Sequence, residues 1–183
     1  MVLESSKKLL ELGLVAGTWG NISQKINEEY FAVTPSGRDY ETLSVNDIVV
    51  VNINTLEYEG SLKPSSECKL HAELYKLRPE INAIIHTHSL YASIVGAARK
   101  EVPCMSDEML CLIGNKIPVT KYAVSGSKKL IQNTIKAIGN KNAVILANHG
   151  AFCVGIDMNT AFKTCKIMES SCAEYINSYK EVN

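Results

Sequence analysis

Residues 83–88 read Ala-Ile-Ile-His-Thr-His, and the organisation of the chain follows from that run. Its apolar, β-branched character predicts a short strand over 83–88, with a helix from about Leu90 to Arg99 after it. Side chains two apart on a strand share a face. His86 and His88 therefore point the same way, and both rings can approach one ion at roughly 2.0–2.1 Å. Two further strand-like runs, 144–147 and 152–154, are broken at Asn148-His149-Gly150. His149 thus ends a second strand, and Gly150 removes a side chain that would crowd it. Three neutral imidazoles leave a divalent ion its full charge and an open coordination position, which Lewis-acid chemistry needs.

An isolated H-x-H pair is more often two hydrogen-bonded polar residues than a metal site. A third strand-end histidine and a nearby carboxylate shift that balance here. The carboxylate is Glu67, in Lys63-Pro64-Ser65-Ser66-Glu67. Serine followed by glutamate is also an ordinary helix start, but the same place would hold a carboxylate beside the open metal position. The fourth histidine, His71, shares a helix face with Glu67 four residues earlier, and reads as structural or supporting rather than as a ligand.

Further from this centre, helices are expected over 1–13, 66–78 and 127–138, with a last one from about 159 to the chain end. Leu70, Leu74 and Leu77 form the expected buried stripe of the second, and Phe162, Cys165, Ile167, Met168 and Cys172 that of the last. Ile22, 31–33, 48–53 and 56–58 read as short antiparallel strands separated by Asn, Gly, Pro and Asp. The segment 102–123, with Pro103 and Pro118, reads as irregular. The elements fit one α/β domain over 1–183, helices covering a mainly antiparallel sheet.

Composition narrows the function classes. Lys and Arg total 19, as do Asp and Glu, so no basic excess points to nucleic acid or an anionic membrane. No run approaches the roughly 20 apolar residues that cross a bilayer. The first 13 residues, with Glu4, Lys7, Lys8 and Glu11, form an amphipathic helix rather than a secretion signal. The six cysteines include no C-x-x-C pair and read as reduced thiols of a cytoplasmic protein.

Three segments are rich in small residues and potential anion donors: Gly17-Thr18-Trp19-Gly20-Asn21, Thr34-Pro35-Ser36-Gly37, and Ser65-Ser66. Glycines let backbone N–H groups approach an anion, and Ser65-Ser66 opens a helix whose positive end favours one. Together they suggest a phosphate cradle built from dipoles and hydroxyls.

In order and spacing, G-T-W-G-N-I-S (17–23), T-P-S-G (34–37), P-S-S-E (64–67), H-T-H (86–88) and N-H-G (148–150) resemble the class II aldolase/adducin family over about residues 5–175. The resemblance implies a three-layer α/β/α fold around a mainly antiparallel sheet, and a homotetramer with active sites between subunits. It implies a metal held by His86, His88, His149 and Glu67, with zinc favoured over manganese, cobalt or iron. Glu67 would leave the metal to act as the base. Thr18, Gly20, Asn21, Ser36, Gly37, Ser65 and Ser66 would bind phosphate. The reaction implied is reversible cleavage of a ketose 1-phosphate, such as fuculose 1-phosphate or a deoxy or methylthio analogue, to dihydroxyacetone phosphate and an aldehyde. A 4-epimerase, a methylthioribulose-1-phosphate dehydratase and a non-catalytic adducin-like module stay open as alternatives. Two departures from the family stand out. The segment that carries a tyrosine acid in the aldolases reads P-C-M-S-D-E-M here, offering only Asp107 or Glu108. The longer C-terminal tail that closes over substrate in some members is also absent.

Overall fold

The computed structural model describes residues 1–178. A six-stranded antiparallel sheet forms the middle layer, in the order β3-β2-β1-β4-β8-β7. Its strands are β1 (Asn21–Lys25), β2 (Tyr30–Val33), β3 (Val49–Asn52), β4 (Ala83–Thr87), β7 (Ala143–Ile145) and β8 (Ala151–Gly155). β4 lies near the centre because it is buried on both faces, which its unbroken apolar run requires. One face packs under α1 (Val2–Glu11), α3 (Leu90–Ala98), α4 (Asp107–Leu112) and α6 (Met158–Ser178), through Ile22, Ile85, Ile145 and Cys153. The other face packs under α2 (Cys68–Leu77) and α5 (Lys128–Ile138), through Phe31, Val33, Ile84, Val144 and Phe152. Alternate residues of each strand thus feed two separate cores, giving the expected three layers.

Three expectations change. Leu77 is 56% exposed, because Arg78 and Pro79 turn the chain away before α2 completes another buried turn. Residues 56–58 make only an isolated bridge, Val51 with Tyr58, and Leu56 takes a left-handed backbone (φ 63°) that ends strand geometry. The segment 102–123 is more regular than its prolines suggest. It holds a small ribbon of β5 (Val102–Pro103) and β6 (Lys116–Ile117) around α4. Ser106 caps α4 by accepting from the Met109 N–H at 3.1 Å. The stripe of α6 is buried at Phe162, Cys165, Ile167, Met168 and Cys172 as expected; the expected run of this helix over 179–183 lies outside the described residues. All six thiols are free, with Cys153, Cys165 and Cys172 buried. No helix among the described residues is long and apolar enough to cross a membrane.

Candidate metal centre and active site

β4 delivers His86 from its last turn of pleat, and His88 follows directly after the strand ends at Thr87. The two rings still meet, His88 Nε2 standing 2.9 Å from His86 Nε2. His149 arrives from the turn before β8. Asn148 takes a left-handed backbone (φ 54°), which bends the chain so that the His149 ring lies 4.9 Å from that of His86 and 5.1 Å from that of His88. Ligand nitrogens of the three rings all fall within 4.8 Å of one another.

Two glycines make this convergence possible. A Cβ on Gly150 would sit 2.3 Å from the Thr87 carbonyl oxygen and 3.0 Å from His86 Cε1. A Cβ on Gly20 would meet Val15 Cγ1 at 2.6 Å and the His86 carbonyl oxygen at 2.7 Å. The contacts at 2.3, 2.6 and 2.7 Å are closer than any side chain tolerates.

The donor set fits a divalent cation. His86 Nδ1 lies 3.0 Å from the Ala151 carbonyl oxygen, so that nitrogen carries the proton and Nε2 keeps its lone pair facing the cluster. Burial, then the neighbouring imidazoles of His86 and His149, push the His88 pKa down to about 3. Burial and the His86 imidazole push His149 down as well. Rings that resist protonation while turning nitrogens toward one another form a ready set of neutral ligands.

Glu67 closes the cluster. It is the residue just before α2, not an interior first-turn residue, and the Ser65 hydroxyl accepts its N–H at 3.3 Å. Its Oε2 accepts from Asn21 Nδ2 at 3.0 Å and lies 3.1 Å from His86 Nε2. Its Oε1 is 3.5 Å from His149 Nε2 and from the Ser125 hydroxyl. Burial raises the pKa of this carboxyl, but positive charge on His86 and His149 whenever those rings are protonated, together with the Asn21 hydrogen bond, outweighs it, and the net shift is downward. Glu67 is thus an ionised carboxylate at neutral pH.

These groups line a cavity of about 370 Å³. Thr18, Gly20, Asn21, Ser36, Gly37, Ser65 and Ser66 line it too, together with Glu67, His86, His88 and His149. The loops carrying the two serine segments are laced together: Ser36 N–H donates to the Lys63 carbonyl at 2.9 Å, and Ser65 N–H to that of Thr34 at 3.1 Å. Among the described residues no lysine or arginine lines the cavity, so an anion there would meet hydroxyls, backbone dipoles and the start of α2. Asp107 and Glu108 stand apart: they open α4 as exposed residues and do not line this cavity. The Asn21 carboxamide is spent on Glu67 and His71, so this residue supports the carboxylate as well as bordering the anion pocket.

Sequence reasoning missed Ser125, and quoted Trp19 and Asn148 within their segments without giving either a role; all three line the cavity. Asn148 had a usable signal, since asparagine before His-Gly favours left-handed backbone. Ser125 had none, because its approach to Glu67 depends on how the 123–127 turn lands beside α2.

A match spanning residues 1–176 with the model of the class II aldolase and adducin N-terminal domain accompanies this geometry. The chain belongs to the class II aldolase and adducin family. It is 32% identical over 182 residues to a 5-deoxy-D-ribulose 1-phosphate aldolase of Bacillus thuringiensis serovar kurstaki, covering 99% of this chain and 84% of that protein. It is 31% identical over 160 residues to the L-fuculose phosphate aldolase of Escherichia coli K12, covering 87% and 74%. A solved L-fuculose 1-phosphate aldolase superposes with a TM-score of 0.93 at 35% identity, over 100% of this chain and 86% of that one. The α/β/α arrangement is therefore the class II aldolase fold.

His71 supplies a stability prediction for this aldolase-family domain. It is fully buried, and desolvation drives its pKa from 6.5 to about 3 against the attraction of Glu67. The folded chain keeps it neutral while the unfolded chain protonates it near 6.5. Stability is therefore complete above that value and falls as pH drops from 6.5 towards 3, by about 1.4 kcal/mol per pH unit for one such group. Urea unfolding of metal-free protein at several pH values should show stability rising with pH, His88 and His149 contributing alongside His71, with the slope smaller by about one proton in His71→Phe. An unchanged slope in the variant would show that His71 is not the group responsible.

Proposed function

We propose that the protein is a metal-dependent aldolase that reversibly cleaves a ketose 1-phosphate into dihydroxyacetone phosphate and an aldehyde. The observation that carries this reading is one buried carboxylate, Glu67, held within 3.5 Å of two imidazoles in a cavity that Ser36, Gly37, Ser65 and Ser66 also line. A phosphate on those serines would place the reacting carbons of a short ketose near Glu67.

His86, His88 and His149 would hold the ion, zinc in our reading, with Glu67 as a fourth ligand before substrate arrives. When bound, the cation supplies Lewis acidity that stabilises negative charge growing on the C2 and C3 oxygens of the ketose. In the cleavage direction the C4 hydroxyl gives its proton to a base, the C3–C4 bond breaks and the aldehyde departs. Glu67, which takes up a proton from solvent once substrate is bound, then delivers that proton to C3, completing dihydroxyacetone phosphate, and in synthesis removes it again. Asp107 or Glu108, remote from their own cavity, would reach the C4 hydroxyl only from a neighbouring subunit. This fits a cytoplasmic homotetramer with active sites between subunits.

Aldehyde release separates this reading from 4-epimerisation, dehydration and a non-catalytic module. The names of the relatives favour fuculose 1-phosphate or a 5-deoxy or 5-methylthio ribulose 1-phosphate. One, from Rhodospirillum rubrum and 29% identical, is a 5-methylthioribulose-1-phosphate/5-deoxyribulose-1-phosphate aldolase. Metal-loaded protein mixed with fuculose 1-phosphate, 5-deoxyribulose 1-phosphate and 5-methylthioribulose 1-phosphate should release dihydroxyacetone phosphate from at least one. Chelator should abolish that release and added zinc restore it. Turnover without aldehyde, or release indifferent to chelator, rejects the proposal.

A further inference from the structure

Behind Glu67 runs a buried row of polar side chains in which Tyr75, Ser23 and His71 have no part in the chemistry described above. α2 places Glu67, His71 and Tyr75 at four-residue intervals on one face, about 6 Å apart. β1 places Asn21 and Ser23 two residues apart on one face, about 6.6 Å apart. The two spacings nearly match, so the rows interleave like teeth. Asn21 fits between Glu67 and His71, and Ser23 between His71 and Tyr75. His71 and Ser23 are wholly buried, and the other three are at most 5% exposed.

Donors and acceptors allow one direction along this row. An ionised Glu67 only accepts, so Asn21 must turn Nδ2 toward it, at 3.0 Å. Asn21 Oδ1 then faces His71 Nε2 at 2.6 Å, and that nitrogen must carry the proton. The bare His71 Nδ1 accepts from the Ser23 hydroxyl at 2.6 Å. Ser23, its proton spent, accepts from the Tyr75 hydroxyl at 2.8 Å. The Phe152 ring meets the edge of His71, with centroids 5.4 Å apart, and keeps the ring from turning.

We propose that His71, held by Ser23 and Tyr75, is a positioning residue that fixes the Asn21 carboxamide and thereby the Glu67 carboxylate. With Oε2 tied by Asn21, Oε1 is left facing His149 and the cavity. This rests on the reading of Glu67 as the base, and it adds the device that orients the base. An Asn21 free to flip would present Oδ1 to the carboxylate and push it out of line.

In ¹⁵N-labelled wild-type protein, long-range proton–nitrogen correlation should show His71 as the Nε2–H tautomer at neutral pH; the Nδ1–H tautomer overturns the proposal. The kinetic arm uses zinc-loaded His71→Phe, which keeps a ring against Phe152 but donates nothing. Its zinc stoichiometry should stay at the wild-type level, and its KM for the ketose phosphate within about threefold. Proton exchange at the hydroxymethyl carbon of dihydroxyacetone phosphate should fall about 10–100-fold. His71→Gln, which keeps an N–H donor, should remain within about fivefold of wild type. Equal losses in the Phe and Gln variants overturn the proposal, as does full exchange in His71→Phe while Glu67→Gln has lost it. Normal exchange in Glu67→Gln removes the base itself, and the positioning role falls with it. Should His71→Phe fail to fold, the wild-type tautomer decides.

Discussion

Glu67→Gln is expected to retain its metal and to lose exchange of the hydroxymethyl proton of dihydroxyacetone phosphate, by about 10²–10⁴-fold. The two side chains have nearly the same shape, and the amide oxygen can still accept from Asn21, which bonds Oε2 at 3.0 Å in the wild type. Three imidazoles would suffice to hold the ion, since ligand nitrogens of His86, His88 and His149 lie within 4.8 Å of one another. What the amide cannot do is take and return a proton. Glu67 is suited to that task by opposing influences: burial favours its neutral form, while positive charge on His86 and His149 when protonated and the Asn21 hydrogen bond favour the anion and prevail. Isotope exchange from solvent into dihydroxyacetone phosphate, followed by NMR with metal content measured on the same sample, checks both halves. Exchange at the wild-type rate would refute the base role; loss of metal together with exchange would make Glu67 chiefly a ligand.

The parts of this molecule legible in the sequence are those where one local pattern fixes one outcome. The apolar run before His86 could only be an interior strand, and it is buried at every position. The stripe of α6 repeats over several turns, and so its buried face was plain. Leu77 misled because helical periodicity says nothing about where the partner layer stops. The helix α4 was hidden between prolines, being six residues long and too short for a periodic signal. At the site, the three histidines and Glu67 were visible as residue types at the ends of elements. Their meeting point was not, since it depends on the Asn148 turn and on two glycines that let backbones touch. The row from Glu67 to Tyr75 was the least legible. His71 read as structural or supporting, but what it supports was hidden, because only the register of β1 against α2 reveals that Asn21 and Ser23 fill the gaps along its helix.

Gly150→Ala is expected to damage the metal centre through a single added methyl group. Its backbone is not left-handed, so the cost is not conformational. It is steric, and it falls on the cluster itself. The added Cβ would sit 2.3 Å from the Thr87 carbonyl oxygen, 3.0 Å from His86 Cε1 and 3.4 Å from His88 Cδ2. The first contact is with strand backbone, which cannot swing aside. The turn carrying His149 must therefore move away from β4, and the ring contact between His86 and His149 opens. We expect metal-free protein to lose about 3 kcal/mol of stability, the upper range for overpacking a tight interior. We also expect zinc affinity to fall by more than tenfold, since a 1.4 kcal/mol loss of ligand geometry already suffices for that. Gly37→Ala provides the contrast. Gly37 has a left-handed backbone (φ 68°) and nothing within 4 Å of its Cβ position, so alanine there should cost about 1–2 kcal/mol and leave zinc binding intact. Urea unfolding and zinc titration of the two variants side by side separate backbone strain from steric displacement of the ligands. If Gly150→Ala binds zinc as tightly as Gly37→Ala, close approach of the His149 turn to β4 is not what assembles the three imidazoles.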